Sequence, residues 1–183
     1  MTIKIIKTKL PNNSILNNRL NQYDYVDSFQ GTFIDSVNKF KFIDIGKAFF
    51  LSTPKWVGKL FMLRNKIVSV FGLKTSEKLA DRQKQVGNFK YEIGERLGIF
   101  KVFNKTDKEI VLGEDDKHLN FRISLFLDQS VADQSRKELT ISSTVEFNNW
   151  FGRLYFLLIK PFHKLIVPAM LKAAIRELEK QNT

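Results

Sequence analysis

The chain contains no cysteine, and that absence excludes disulfides, thiolate catalysis and cysteine-ligated zinc or iron-sulfur centres together. Histidine is almost as scarce. With only His118 and His163 to serve as base, a nucleophilic serine has two possible partners, and no Gly-x-Ser-x-Gly elbow is present. A Gly-Lys-Ser/Thr phosphate loop is also missing, so NTP hydrolysis is not suggested. Trp and Tyr contribute only 2 and 4 residues against 17 Phe, so most aromatic surface has no polar handle and belongs in a core or around an apolar ligand. The first twenty residues carry Lys4, Lys7, Lys9 and Arg19 without an apolar run or a small-residue cleavage site, which argues against a signal peptide. The most apolar stretch, 150–171, is interrupted by Arg153, Lys160, His163 and Lys164, whereas a spanning helix needs about 20 predominantly apolar residues. A soluble, cytoplasmic protein without cofactor or metal is the expectation.

What is present fits one domain. A chain of 183 residues with 43% apolar content can bury a contiguous core. The net charge of +11 favours anionic partners, but the cations are scattered from Lys4 to Lys180 with no block of five, which reads as a solvated basic surface. Nucleic acid is not an expected partner.

Residues 1–20 mix Lys with Pro11, Asn12, Asn13 and Ser14 and read as an irregular lead-in to a single domain over 21–180. Residues 23–33 have strand content. Asp44 can cap a short helix running to about Leu51, and Ser52 or Thr53 before Pro54 starts a second one, which Gly72 would end. In that helix Trp56, Val57, Leu60 and Leu63 share an apolar face and Lys55, Lys59 and Lys66 lie opposite. Residues 74–90 read as a loop with at most one turn of helix, a candidate flap. Residues 99–103 and 109–113 form a hairpin, Leu119, Phe121, Ile123, Leu125 and Leu127 alternate with Asn120, Arg122, Ser124, Phe126 and Asp128, and Leu139, Ile141, Ser143, Val145 and Phe147 repeat the pattern. From Asn149 to about Lys180 the helical period returns. Phe151, Leu154, Tyr155, Leu158, Ile159, Phe162, Leu165 and Ile166 form one face, with Arg153, Lys160 and Lys164 opposite, and Pro161 and Pro168 should bend or break the helix. The basic stripe would then point outward, a candidate contact with an anionic membrane surface.

This order predicts an α+β fold in which an antiparallel sheet curves around a long C-terminal helix, with two helices between the first and second strands. It resembles the helix-grip fold of START lipid-transfer domains, pollen-allergen-like proteins and polyketide cyclases. The strings Pro54-Lys55-Trp56-Val57, Leu63-Arg64-Asn65, Phe71-Gly72-Leu73-Lys74, Gly98-Ile99-Phe100-Lys101-Val102, Gly113 through Arg122 and Gly152-Arg153-Leu154-Tyr155 with Lys160-Pro161-Phe162-His163 resemble a bacterial domain-of-unknown-function family, number 2867. The resemblance spans about Tyr23 to Ala174 and implies a fold and little chemistry. Some proteins resembling this family carry the domain behind a dinucleotide-binding one, but no Gly-x-Gly-x-x-Gly loop or βαβ pattern precedes it here, so a nicotinamide cofactor is not implied.

Helix-grip proteins hold apolar ligands between sheet and helix, so Trp56, Arg64, Phe100, Phe121, Tyr155 and Phe162 are the candidate lining residues for a lipid or other hydrophobic small molecule. Arg64 falls on an apolar stripe and needs a partner, either a strand carboxylate such as Asp27 or Glu114 or an anionic ligand group. The titratable cluster Glu114, Asp115, Asp116 and His118 is either a solvated turn or a source of acid-base chemistry, and its spacing matches no metal motif. Asp116, His118 and His163 are accordingly the candidate catalytic groups of a cyclase, dehydratase or hydrolase. A third reading is a structural or interaction module with a filled core.

Overall fold

The computed structural model describes residues 3–60, 62 and 85–182. Seven strands form one antiparallel sheet: β1 Ile5–Thr8, β2 Tyr25–Ile34, β3 Arg96–Leu97, β4 Phe100–Lys105, β5 Glu109–Asp115, β6 Leu119–Gln129 and β7 Arg136–Phe147. Their spatial order is β1-β2-β7-β6-β5-β4-β3. Among the described residues, α1 Phe42–Leu51 and α2 Trp150–Gln181 flank the sheet. The long α2 crosses the face of a curved sheet, so the fold is the expected α+β helix-grip arrangement.

The alternation read in β6 and β7 sets the inner face. Leu119 pairs with Phe147, Phe121 with Val145, Ile123 with Ser143, Leu125 with Ile141 and Leu127 with Leu139, so each row points to one side. Those rows continue into β2, where Tyr25, Asp27, Phe29 and Gly31 stand opposite Val145, Ser143, Ile141 and Leu139. Against this surface the second half of α2 buries Val167, Met170, Leu171, Ala174, Ile175 and Leu178, and Phe49, Phe50, Tyr91 and Phe100 complete the core. Each fully buried aliphatic side chain contributes about 1.5–3 kcal/mol. At Gly31 any Cβ would press on the Cδ1 atoms of Ile175 and Ile5, so a residue without a side chain lets α2 approach the sheet.

The helix starts follow local chemistry. Asp44, in the first turn of α1, accepts the backbone N–H of Lys41 at 2.9 Å. A second helical stretch, 55–60, follows Pro54, with Val57 fully buried and Lys55 and Lys59 exposed. Its expected continuation to Gly72, the face residues Leu63 and Lys66 and most of the proposed 74–90 loop lie outside the described residues; 85–88 are helical. Asn149 caps α2 through its Oδ1, which accepts the Gly152 N–H at 3.0 Å.

Three expectations need correction. The lead-in is not wholly irregular, because Ile5–Thr8 pairs with β2 as an edge strand and residues 15–22 form 3₁₀ turns. That segment is pinned by Glu109, only 1% exposed, whose carboxylate accepts from Ser14 Oγ at 2.6 Å, the Ile15 N–H at 2.7 Å and Ser124 Oγ. Next, of the bend or break expected at Pro161 and Pro168, a break does not occur: α2 runs as one helix from Trp150 to Gln181. Finally, Leu154, Leu158 and Leu165, placed on the inner face from the sequence, are 48%, 49% and 63% exposed. The observed inner set keeps Tyr155, Ile159, Phe162 and Ile166 and adds Gly152, Phe156 and His163, a rotation of about 70° from the expected face. A segment apolar on nearly every side leaves its periodicity without a phase.

Candidate functional site

Between the first half of α2 and the inner face of β5, β6 and β7 lies a cavity of about 310 Å³. Its floor is built from the inward positions of alternating strands, including Phe121, Ile123, Ile141 and Val145. Its roof is one side of α2, Tyr155, Ile159, Phe162 and Ile166, and Phe100 and Leu60 reach it from β4 and the 55–60 helix. The walls are overwhelmingly apolar.

Phe100, Phe121, Tyr155 and Phe162 all line this cavity, as do Asp116, His118 and His163. Trp56 does not; it lies outside and is 44% exposed. Arg64 falls outside the described residues. The two carboxylates considered as its partners have other companions: Asp27 is bonded to His163 and Tyr25, and Glu114 to Arg96.

The polar groups form two separate assemblies. At the β5–β6 end, Glu114 is only 8% exposed and meets the Arg96 guanidinium through both carboxylate oxygens, the longer contact being 3.3 Å. The expected solvated turn therefore begins only after it. The hydrogen bond that Arg96 donates to Glu114 raises the already high Arg96 pKa against the opposing effect of burial. Asp115 pairs with Arg122 at 2.6 Å, and that guanidinium carbon lies 3.5 Å from the Phe103 ring centroid. His118 Nδ1 is 3.3 Å from the Oδ1 of Asn149, the α2 cap residue, and its ring packs on Phe151 at 4.7 Å. Asn148 and Asn149 donate to the Asp116 and Lys117 carbonyls at 2.6 and 2.9 Å. These contacts fasten the start of α2 to the strand turn. Gly152 belongs to the same joint, because a Cβ there would collide with the His118 carbonyl.

The second assembly was less legible. His163 Nε2 lies 3.1 Å from Asp27 Oδ1, and the Tyr25 hydroxyl donates to Asp27 Oδ2 at 2.7 Å. Asp27 is 5% exposed. Burial pushes its carboxyl up, yet the hydrogen bonds from His163 and Tyr25 and the charge of His163 outweigh that and hold it below its usual value. Burial, and then the bond to Asp27, push the Tyr25 phenol up, so Tyr25 is the donor of that pair. With Asp27 an acceptor only, the network assigns the imidazole proton to Nε2. An acid orienting a histidine beside a cavity is the arrangement of a general base and its positioning partner. Its signal in the sequence is an Asp in phase with the inward residues Tyr25 and Phe29.

Among the described residues no group of three or more His, Asp or Glu side chains is placed to hold a metal ion. A family model described as a protein of unknown function, DUF2867, matches residues 19–170. The chain belongs to that family. The match covers β2 through most of α2, and so includes both polar assemblies and the cavity walls. No curated protein and no solved structure matches the chain significantly.

Proposed function

We infer that this DUF2867 protein binds a hydrophobic small molecule, of the lipid or apolar-metabolite class, between its sheet and α2. The observation that carries this reading is the apolar cavity of about 310 Å³ with His163 in its wall. Ligand pockets generally run from about 300 to 1,000 Å³. The volume therefore favours a compact or single-chain ligand over a two-chain lipid. Area burial of about 25 cal/mol per Å² supplies most of the affinity, and His163 orients a polar end.

The test is native mass spectrometry of the purified protein, with solvent extraction, alongside binding of an apolar fluorescent dye. Ile166→Trp should fill the cavity, and it is expected to abolish dye binding while leaving the circular dichroism spectrum intact. No extractable ligand, together with dye binding indifferent to Ile166→Trp, would remove this reading.

The His163–Asp27–Tyr25 chain favours a second reading, an enzyme of the same fold in which His163 moves a proton on a bound apolar substrate. Asp27 and Tyr25 would then be positioning residues, and His118, engaged at the α2 cap, would take no part. Once a substrate is in hand, a pH–rate profile unchanged in His163→Ala would rule this out.

A further inference from the structure

The first half of α2 presents to solvent a surface that the cavity does not explain. Trp150 is 74% exposed, Leu157 65% and Leu165 63%, and Leu154 and Leu158 are about half exposed. At 100° per residue these five side chains and Pro161 fall within an arc of about 100°. Arg153, Lys160 and Lys164 occupy the next arc, about 40° wide, on one flank. Arg153 and Lys164 are exposed, with Asp24 3.7 Å from Arg153, and Lys160 lies 5.0 Å from the Tyr25 ring centroid. An apolar ridge beside a basic stripe is the layout of a helix lying in a membrane interface. Trp at the end of such a ridge suits the headgroup level.

We propose that this ridge docks the protein on the surface of an anionic bilayer, with α2 lying in the plane of the interface. Charge selects the occupant. No Asp or Glu occurs anywhere in positions 150–176, and the whole chain carries +11. A second copy placed on this face by a two-fold axis would bring like charges together, whereas an anionic lipid surface complements them.

By length and composition alone α2 also passes for a spanning helix. Its packing argues for lying on the membrane instead. Phe156 sits 4.8 Å from the Tyr25 ring, His163 is bonded to Asp27, and Leu171, Ile175 and Leu178 are fully buried. Spanning would strip all of these from the sheet. Leu158 belongs to both the ridge and the cavity wall, so the docked face adjoins the cavity, but docking stands whether or not a ligand binds there.

The test is co-sedimentation of the full chain with phosphatidylcholine vesicles, with and without phosphatidylserine. Recovery should require phosphatidylserine and fall with salt. Arg153→Gln with Lys164→Gln should lower the partition coefficient about 30-fold at low salt, at about 1 kcal/mol per cation. Leu157→Glu with Leu165→Glu, both at exposed sites, should reduce it to background. In a Trp56→Phe background, Trp150 emission should shift to the blue on vesicles. Equal recovery with both lipids, or binding unaffected by the double Glu variant, would overturn the proposal. So would a dimer dissolved by the double Glu variant without any vesicle binding, or resistance to alkaline carbonate extraction, which would mark a spanning helix.

Discussion

The two halves of α2 are both rich in apolar residues and opposite in situation. From Val167 to Leu178 the helix sends Leu171, Ala174, Ile175 and Leu178 into the core with no exposure at all. Over 150–165 it roofs a cavity on one side and exposes Trp150, Leu157 and Leu165 on the other. Hydropathy along a helix therefore does not report where the helix is buried. What differs is the opposing surface: the bare Gly31 lets the second half close on β2 through Ile175, while the first half meets the sheet through Phe156, packed with Leu119, Val145 and Tyr25, and roofs the cavity beside that contact.

The largest expected contrast comes from truncating one leucine in each half. Leu171→Ala should cost about 3–5 kcal/mol in urea melts, because a fully buried Leu leaves a cavity. Leu157→Ala should change stability by under about 0.5 kcal/mol. A comparable loss at both sites would break the comparison.

Gly31 sharpens it. Gly31→Ala places a methyl against Ile175 and Ile5 and should destabilise by about 1–3 kcal/mol. Ile175→Val in the same chain should recover part of that loss despite being destabilising alone. Additive losses in the double mutant would show that the glycine does not set how closely α2 approaches.

In the first half the helix is held by polar contacts, so its attachment should depend on pH. The Asp27 pKa is depressed in the fold. A depressed carboxylate contributes stability that is fully present above its unfolded value, near 3.8, and is lost as pH falls through its folded value. Stability should accordingly drop between about pH 5 and about pH 2, and Asp27→Asn should remove part of that slope while costing about 2 kcal/mol near neutral pH. An unaltered pH slope in Asp27→Asn urea melts would show that the His163 and Tyr25 contacts do not hold this carboxylate ionised.

Strand phase was legible because a period of two leaves only two choices, and the polar partners of Phe121, Leu125 and Ile141 decide between them. The start of α2 was legible at Asn149, and that of α1 to within three residues at Asp44, since each offers a side-chain acceptor to an unpaired N–H. The phase of α2 was only partly legible, because the exposed side with Leu154, Leu157 and Leu165 is as apolar as the cavity side with Ile159, Phe162 and Ile166, and only the sheet selects between them. The polar assemblies were half legible. His118 and His163 stand out as the only histidines, but their companions Asn149 and Asp27 are 31 and 136 residues away and are fixed by topology. Short β3 has too few residues to carry a pattern, and with it Arg96, the partner of Glu114, went unseen.

A small effect is expected at Leu158, which the periodicity placed in the core. Its side chain touches the cavity on one side and solvent on the other, with 49% of the residue exposed, so truncation neither opens a sealed void nor removes a full complement of contacts. At about 25 cal/mol per Å² of apolar area, the half that is buried accounts for about 1 kcal/mol. Leu158→Ala should therefore shift urea stability by no more than about that amount, while Lys59→Ala, exposed on the 55–60 helix, should be silent within about 0.5 kcal/mol. A loss of about 3 kcal/mol or more at Leu158 in the same melts would mean that this half of α2 is packed as tightly as the other, and that the cavity beneath it is closed by contacts in solution.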